Sequence, residues 1–174
     1  ESITFDVVVH FGTLIAVLIY FWSDIIDLIK KPFAKLPVFL VLGTIPTALI
    51  GLGFNDFFTS LFSSGKSLGI GFLATGGILW LAESIRSGSK RLKELSVLDV
   101  LFIGTMQGIA ILPAVSRSGS TIAGSLFRGL DRKFAARFSF LLSIPAILGA
   151  TILEGKNLLS TGITNQAFLP LFLG

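Results

Sequence analysis

Long apolar stretches alternate with short polar segments along most of this chain. An α-helix needs about 20 mostly apolar residues to cross a lipid bilayer, and several stretches approach that length. The predicted spans are 5–22, 37–54, 68–85, 134–153 and the start of another at 167–174. This pattern predicts an all-α integral membrane protein, a polytopic helix bundle that forms a single transmembrane domain over residues 1–174.

The apolar stretch 97–127 is broken near its centre. Its first part, 97–112, makes a helix of only about 24 Å at 1.5 Å per residue. Pro113 then interrupts the stretch, and a second short apolar piece follows at 121–127. Irregular backbone at membrane depth is tolerated only where protein buries it or where it lines a wet cavity. We therefore expect a re-entrant helix-loop-helix, with a single kinked span as the alternative.

The distribution of the 14 Lys and Arg residues predicts the orientation. The loops after the second and fourth spans carry one each, Lys66 and Lys156, and Arg117 stands alone. Because cytoplasmic loops are rich in Lys and Arg, the three richer loops are predicted to be cytoplasmic. Two of those loops flank 97–127, so this segment enters the membrane and returns to the same side. The eleven basic residues of the richer loops are Lys30, Lys31, Lys35, Arg86, Lys90, Arg91, Lys93, Arg128, Arg132, Lys133 and Arg137.

Reporter fusions test this topology. We expect a reporter fused at Lys66 to lie outside the cytoplasm and one fused at Arg91 to lie inside it, because the positive charge surrounds Arg91. Two reporters, one active only inside the cytoplasm and one active only outside it, read the side at each position. An Arg91 fusion on the outer side would reverse the orientation.

Composition narrows the classes of function. Only 14% of the residues are charged, against about 25% in an ordinary soluble domain. The chain has no cysteine, and its single histidine, His10, excludes a multi-histidine metal site. The net charge of +4 does not indicate nucleic acid, because the basic residues occupy short loops between apolar stretches. We expect contact with membrane lipids and no nucleic-acid partner.

A faint internal repeat relates the two ends of the chain. Residues 5–14 align with residues 138–147, so that Phe5 meets Phe138. The charge pattern predicts that these segments run in opposite directions, and inverted repeats are common in membrane proteins that bind substrate inside the bilayer. We therefore expect inverted-repeat topology, with a second re-entrant element preceding Phe5.

Arg117 lies among hydroxyl side chains in the break of the 97–127 stretch. A charge at bilayer depth costs about 3 kcal/mol on insertion scales, and such residues usually have a function. A guanidinium binds two phosphate oxygens and stabilises developing charge, and helix N-termini attract anions. We expect a diphosphate head group as the ligand. The candidate catalytic residues are Arg117, Ser116 and Ser118.

Four neighbouring residues complete the candidate site. Gly119 permits a positive φ and the close approach of a ligand, and Ser120 or Thr121 is expected to cap the second short helix. Gln107, on the first short helix, offers an amide to the cavity. We expect these four residues to bind substrate.

These residue types leave alternatives open. Serines in membrane helices often hydrogen-bond only within the protein, and Arg117 has the alternatives of snorkelling or of pairing with Glu83 or Asp99. Hydrolysis also requires a group that activates the nucleophile. Within this chain the local candidates are Asp6 and His10, an i, i+4 pair; otherwise the base lies outside it.

Residues 107–121 resemble the second signature of the bacterial undecaprenyl-diphosphate phosphatases, also called the bacitracin-resistance family, which reads P-G-x-S-R-S-G-x-T. Residues 138–145 and 5–22 resemble the helices that follow the family's two signatures. This resemblance implies a multi-pass hydrolase of the bacterial inner membrane. It implies hydrolysis of undecaprenyl diphosphate to undecaprenyl phosphate and phosphate, which recycles the lipid carrier of cell-wall synthesis and confers bacitracin resistance.

The resemblance also implies roles for residues of the motif. The site opens toward the outer side of the membrane, and Arg117 holds the diphosphate of the polyprenyl lipid. Ser116 and Thr121 bind the diphosphate, and one serine is a candidate nucleophile.

Two departures from the family pattern affect these expectations. The family has Gly where this chain has Ala114, so the loop is strained if that position needs a positive φ. The first signature, with its acidic residues and its S-S-x-G-H histidine, has no counterpart, and His10 falls in the following helix instead. We therefore expect residues 1–174 to be a fragment that is inactive alone. The missing signature would supply proton transfer and any divalent cation, magnesium or calcium; no metal ligand is assigned within this chain.

Two rival functions fit the same residues. One is a transporter, or flippase, of undecaprenyl phosphate that uses the same anion site without hydrolysis. The other is a catalytically incomplete membrane fragment, which the missing acid and base favour. The density of Ser and Arg residues favours the enzyme. A homodimer is a candidate assembly.

Overall fold

The computed structural model describes residues 12–65, 67–86 and 88–161. These residues form eight helices, and their β pairing is limited to an isolated bridge between Lys90 and Leu130. The described part of the chain is therefore all-α, as predicted. The helices are α1 (Gly12–Tyr20), α2 (Trp22–Lys30), α3 (Lys35–Gly53), α4 (Asn55–Ser64), α5 (Leu68–Ser84), α6 (Val97–Ile109), α7 (Arg117–Phe127) and α8 (Arg132–Thr161).

Two of the described helices are long and apolar enough to cross a membrane. They are α3, with 19 residues, and the segment Arg132–Ile152 of α8, with 21 residues, and they overlap the predicted spans 37–54 and 134–153. Helix α5 overlaps the predicted span 68–85 but is shorter, with 17 residues. Both α3 and α5 expose many large apolar side chains, as contact with lipid requires. The predicted start of a span at 167–174 lies outside the described residues.

The first predicted span, 5–22, differs from the structure at its C-terminal end. Helix α1 stops at Tyr20, and α2 leaves it at an angle of 79°. Helix α2 carries Asp24 and Asp27 beside an apolar face, a pattern suited to a membrane interface and not to the bilayer core. Asp24 forms an ion pair with Arg137 of α8, which holds α2 against the bundle. Residues 5–11 lie outside the described residues.

Helix α4 was not predicted from the hydrophobic pattern. It follows α3 with a single residue, Phe54, between them, and its sequence mixes Phe and Leu with Asn, Asp, Ser and Thr. Helix α4 ends at Gly65, which has a left-handed φ of 61°, the conformation in which glycine commonly terminates helices.

Helices α6 and α7 form a hairpin whose two ends meet. The Asp99 side chain, in the first turn of α6, is fully buried, and its carboxylate lies 2.6 Å from Arg128 Nε and 3.3 Å from Lys90 Nζ. The main chain makes a parallel contact, because the Lys90 N–H donates to Gly129 O at 3.1 Å. The segment therefore returns to the place where it starts, as a re-entrant element must. Its depth in a membrane remains a prediction.

The C-terminal end of α5 lies beside the start of α8. Arg132 donates to the Glu83 carboxylate at 2.7 Å and to Ile85 O at 3.3 Å. The segments that flank the hairpin thus lie at one end of the bundle. This arrangement agrees with the charge pattern, which placed both loops on the same side.

Helix α6 packs closely against α3. A Cβ atom at Gly104 of α6 would lie 2.0 Å from Gly43 O of α3, so the two backbones touch at this pair. Small residues allow such close approach between membrane helices. Val100 and Ile103 of α6 are fully buried beside this contact. The crossing fixes α6, and hence the turn that follows it.

Replacing Gly104 with Ala should destabilise the bundle, because the added methyl group meets a backbone oxygen and the helices must separate. Overpacking of this kind costs about 1–3 kcal/mol, which would lower the thermal unfolding midpoint of the protein in detergent. Gly76→Ala in α5 is the matched control, because a Cβ there meets nothing within 4 Å among the described residues and Ala favours a helix. Equal midpoints for the two variants would contradict the close crossing.

Candidate active site

The turn between α6 and α7, residues 110–116, lies at the tip of the hairpin. Helix α7 has 11 residues, so the tip is about 16 Å from the base of the hairpin at 1.5 Å per residue. This is about half of a 30 Å hydrocarbon core. Local main-chain bonds shape the turn, among them the bond from Val115 N–H to Leu112 O at 3.1 Å.

Ala114 is the non-glycine residue with a positive φ among the described residues, at 62°. The left-handed region costs an L-residue about 1–2 kcal/mol, so the alanine strains this turn. The expectation of strain at Ala114 is confirmed. The Ala114 carbonyl accepts a hydrogen bond from Thr75 Oγ1 of α5 at 2.8 Å, which helps to hold the strained residue.

Ser116 caps α7, four residues before the expected cap at Ser120. Its Oγ accepts from Gly119 N–H at 3.1 Å, and its carbonyl accepts from Ser120 N–H at 2.9 Å. The expectation that Ser120 or Thr121 caps this helix was wrong, because the polar residues after Ser116 have helical backbone and extend α7 toward the turn.

Gly119 also differs from its expected role. It is helical, and its φ is not among the positive values of the described residues. Its lack of a side chain matters for space instead, since a Cβ there would lie 2.9 Å from Ser116 Oγ and 3.1 Å from Leu79 Cδ2 of α5. Glycine at this position therefore lets α7 approach α5 and keep its cap.

The N-terminus of α7 offers free donors. The N–H groups of Arg117 and Ser118 have no acceptor among the described residues. The positive end of the helix dipole adds to these two donors, and such a helix start binds anions. The start of α7 therefore provides an anion site whose donors point away from the helix.

Arg117 is half-buried, and its guanidinium has no hydrogen bond or ion pair with any described residue. The two carboxylates considered as its partners are engaged elsewhere: Asp99 pairs with Lys90 and Arg128, and Glu83 pairs with Arg132. Neither of the proposed ion pairs with Arg117 forms. The five guanidinium donors remain available to an anion.

The hydroxyl groups near Arg117 differ in how far the protein uses them. Ser118 is half-buried, and its Oγ has no hydrogen bond among the described residues. Ser120 is 1% exposed, and its buried Oγ also has no described partner. Thr121 is likewise buried, but its hydroxyl contacts Arg117 O, Ser118 O and Ser139 Oγ. Thr121 therefore links α7 to α8, and its direct contact with substrate remains a prediction.

Gln107 lies between α6 and α3. It is 1% exposed, and its Nε2 donates to Thr47 Oγ1 at 3.0 Å, while Thr47 donates to Gly104 O at 2.9 Å. The Gln107 Oε1 atom is buried without a described partner. The structure thus shows Gln107 bonding α6 to α3, and its contact with substrate is untested.

The described residues bring no three His, Cys, Asp or Glu side chains together in a group suited to a metal ion. The residues around Arg117 offer hydroxyl oxygens and cationic or amide donors, a set that suits an anion and not a divalent cation. Asp6 and His10 lie outside the described residues. Among the described residues, the side chains around Arg117 therefore do not form a site for the divalent cation that the resemblance implies.

Comparison of the sequence with known proteins identifies the family of this chain. Residues 1–174 match the model of the family described as bacitracin resistance protein BacA. The chain belongs to the BacA family. The chain is also 54% identical over 172 residues to the undecaprenyl-diphosphatase of Carboxydothermus hydrogenoformans, and 48% identical over 176 residues to that of Halothermothrix orenii.

These two alignments cover most of this chain and less of each relative. They include 98% and 100% of the chain, but 66% and 68% of the relatives. The chain thus spans about two thirds of the length of these relatives. As a member of the BacA family with apolar helices of spanning length, it is a membrane protein, and its described residues are all-α.

The sequence analysis did not identify Thr75 and Thr47. Thr75 of α5 bonds to the turn of this BacA-family motif, and Thr47 of α3 bonds to helix α6. Thr75 Oγ1 accepts from Ser116 N–H at 3.0 Å, and Thr47 Oγ1 accepts from Gln107 Nε2. Both lie within apolar helices, where a hydroxyl must find a partner. That placement was a usable signal, but it did not reveal which partner each hydroxyl binds.

Ala114→Gly should stabilise the protein, because glycine adopts the positive φ without strain. The relief of about 1–2 kcal/mol is partly offset by the greater freedom of glycine in the unfolded chain, so a gain of up to about 1 kcal/mol is expected. The thermal unfolding midpoint in detergent measures it. Ala110→Gly is the matched control, because Ala110 has a φ of −74° and should lose stability. A lower midpoint for Ala114→Gly would contradict the strain.

Proposed function

We propose that this chain carries the phosphate-binding half of an undecaprenyl-diphosphatase. The reaction would be hydrolysis of undecaprenyl diphosphate to undecaprenyl phosphate and inorganic phosphate in the bacterial inner membrane. This reaction recycles the lipid carrier of cell-wall synthesis. Support comes from the names of the relatives and from the unpaired, half-buried Arg117 at the start of α7, which is the observation that carries the proposal.

The proposed binding mode follows from the free donors. The terminal phosphate lies against the N–H groups of Arg117 and Ser118, while the guanidinium binds two of its oxygens. Both kinds of donor become more effective as negative charge develops on the phosphate in a site with little water. The apolar helix surfaces would receive the polyprenyl chain, and the site would open to the outer side of the membrane, as the family resemblance implies.

Ser118 is the nucleophile that the geometry favours, since its Oγ has no described hydrogen bond, whereas Ser116 Oγ caps α7. Ser118 Oγ would attack the terminal phosphorus and lose its proton to a base. The bond from phosphorus to the bridging oxygen breaks, and undecaprenyl phosphate leaves with that oxygen. Water then hydrolyses the phosphoserine and releases phosphate.

The base lies beyond the residues around Arg117 in the described structure. No described carboxylate is within ion-pair distance of the Arg117 guanidinium, and the candidates within the chain are Asp6 and His10.

Arg117→Ala in the full-length protein should reduce phosphate release from undecaprenyl or farnesyl diphosphate by about 100-fold or more, the usual effect of removing a donor that stabilises developing charge. Arg91→Ala is the matched control, because Arg91 is exposed in the loop between α5 and α6. Phosphate release is measured colorimetrically at saturating and at low substrate.

Two outcomes would overturn the proposal. Near-wild-type turnover by Arg117→Ala would show that Arg117 does not act on the phosphate. Wild-type protein that binds undecaprenyl phosphate and moves it across a vesicle membrane, without releasing phosphate from the diphosphate, would establish the transporter instead.

A further inference from the structure

Thr75 of α5 makes two hydrogen bonds to the main chain of the α6–α7 turn. Its Oγ1 donates to Ala114 O at 2.8 Å and accepts from Ser116 N–H at 3.0 Å. One hydroxyl group thus bonds to the residues before and after Val115, which follow Thr75 by 39 and 41 positions in the sequence. These bonds tie the turn to a neighbouring helix, whereas the turn's other main-chain bonds, such as Val115 N–H to Leu112 O, are local.

Gly71 leaves space for the turn on the same face of α5. It lies four residues before Thr75, so both residues share one face of the helix. A Cβ at Gly71 would lie 2.1 Å from Pro113 O and 3.0 Å from Ala114 Cβ. The turn therefore rests directly on the α5 backbone at Gly71 and is hydrogen-bonded one helical turn later at Thr75.

The bonded atoms lie next to the anion site. Ser116, whose N–H donates to Thr75, is the cap of α7, and Arg117 is the first residue of that helix. The strained Ala114, at φ 62°, precedes them by two and three residues. Because α7 starts where Ser116 is held, the directions of the two free N–H groups and of the Arg117 side chain follow from the position of this turn.

We propose that Thr75 is a positioning residue for the phosphate site: it holds the turn that starts α7 and thereby sets the geometry of Arg117. This inference rests on the proposed function. Both hydrogen bonds of the Thr75 hydroxyl go to main-chain atoms of the turn, so we expect it to affect the chemical step through the placement of Arg117 and the N–H groups. A displacement of about 1 Å can cost about 100-fold in rate.

The test compares Thr75→Val and Thr75→Ser in the full-length protein. Valine keeps the shape of threonine and removes the hydroxyl, so kcat for diphosphate hydrolysis should fall by at least about tenfold, while KM changes less than about threefold. Serine keeps both hydrogen bonds and should restore kcat to within about threefold of wild type. Rates are expressed per folded molecule, from the monodisperse fraction in detergent.

Thr105→Val is the matched control. The Thr105 hydroxyl donates to Leu101 O of its own helix α6 at 2.9 Å, so its loss removes a threonine hydroxyl without releasing the turn. We expect kcat for this variant within about twofold of wild type. A kcat loss in Thr105→Val equal to that in Thr75→Val would show a general effect of removing a hydroxyl and would overturn the inference.

Different results would contradict the proposed function and the proposed role of Thr75. If Arg117→Ala abolishes turnover while Thr75→Val retains wild-type kcat, the phosphate site stands and the role of Thr75 is wrong. If Thr75→Val loses kcat and Thr75→Ser does not recover it, the hydroxyl is not the acting group, and the inference is also wrong. If Arg117→Ala retains turnover, the proposed function itself fails, whatever the Thr75 variants do.

Discussion

The buried Asp99 carboxylate is the interaction on which the hairpin depends. It receives Arg128 from the end of α7 and Lys90 from the segment before α6, and it closes the capping box with Ser96. A carboxylate with no exposed surface is tolerated only when it is paired and hydrogen-bonded. Removing one partner would leave the buried charge less compensated, although both cations are themselves partly exposed. The same contacts hold the start of α6 and the end of α7 together at one end of the hairpin. The turn between the two helices therefore lies at the opposite end.

Two further helices hold that far end in place. Helix α3 supports α6 through the touching backbones at Gly43 and Gly104 and through the Thr47–Gln107 hydrogen bond. Helix α5 supports the turn itself through Gly71 and Thr75. The anion site is thus built on helices and not on a free loop. This matters because binding groups must be held close to their working geometry if they are to favour the transition state.

The sequence predicted the elements better than their junctions. Apolar length and charge placement predicted α3, α5, α8 and a break between α6 and α7, because these features follow from local composition. The break between α1 and α2 and the existence of α4 depend on amphipathic segments, which an apolar-length criterion does not detect. The start of α7 was predicted four residues late, because serine serves equally well as a cap or within the first turn.

Within the site, the sequence revealed chemistry but not contacts. Arg117 and the strain at Ala114 followed from the motif, since each is a property of one residue in a known setting. Thr75 could not be identified in this way, because its partners lie 39 and 41 residues away and only the folded hairpin brings them together. The isolation of Arg117 from Glu83 and Asp99 is likewise visible only once those carboxylates are seen with their own partners.

The meeting of the hairpin's two ends has a consequence for how this architecture can change. Since Lys90 and Leu130 are neighbours, the chain between them leaves one end of the bundle and returns to the same end. On the predicted re-entrant topology, a change in the length of this segment would leave α8 on the same side of the membrane. On that topology, the side chains at the tip and the orientation of α8 would be set by separate parts of the chain.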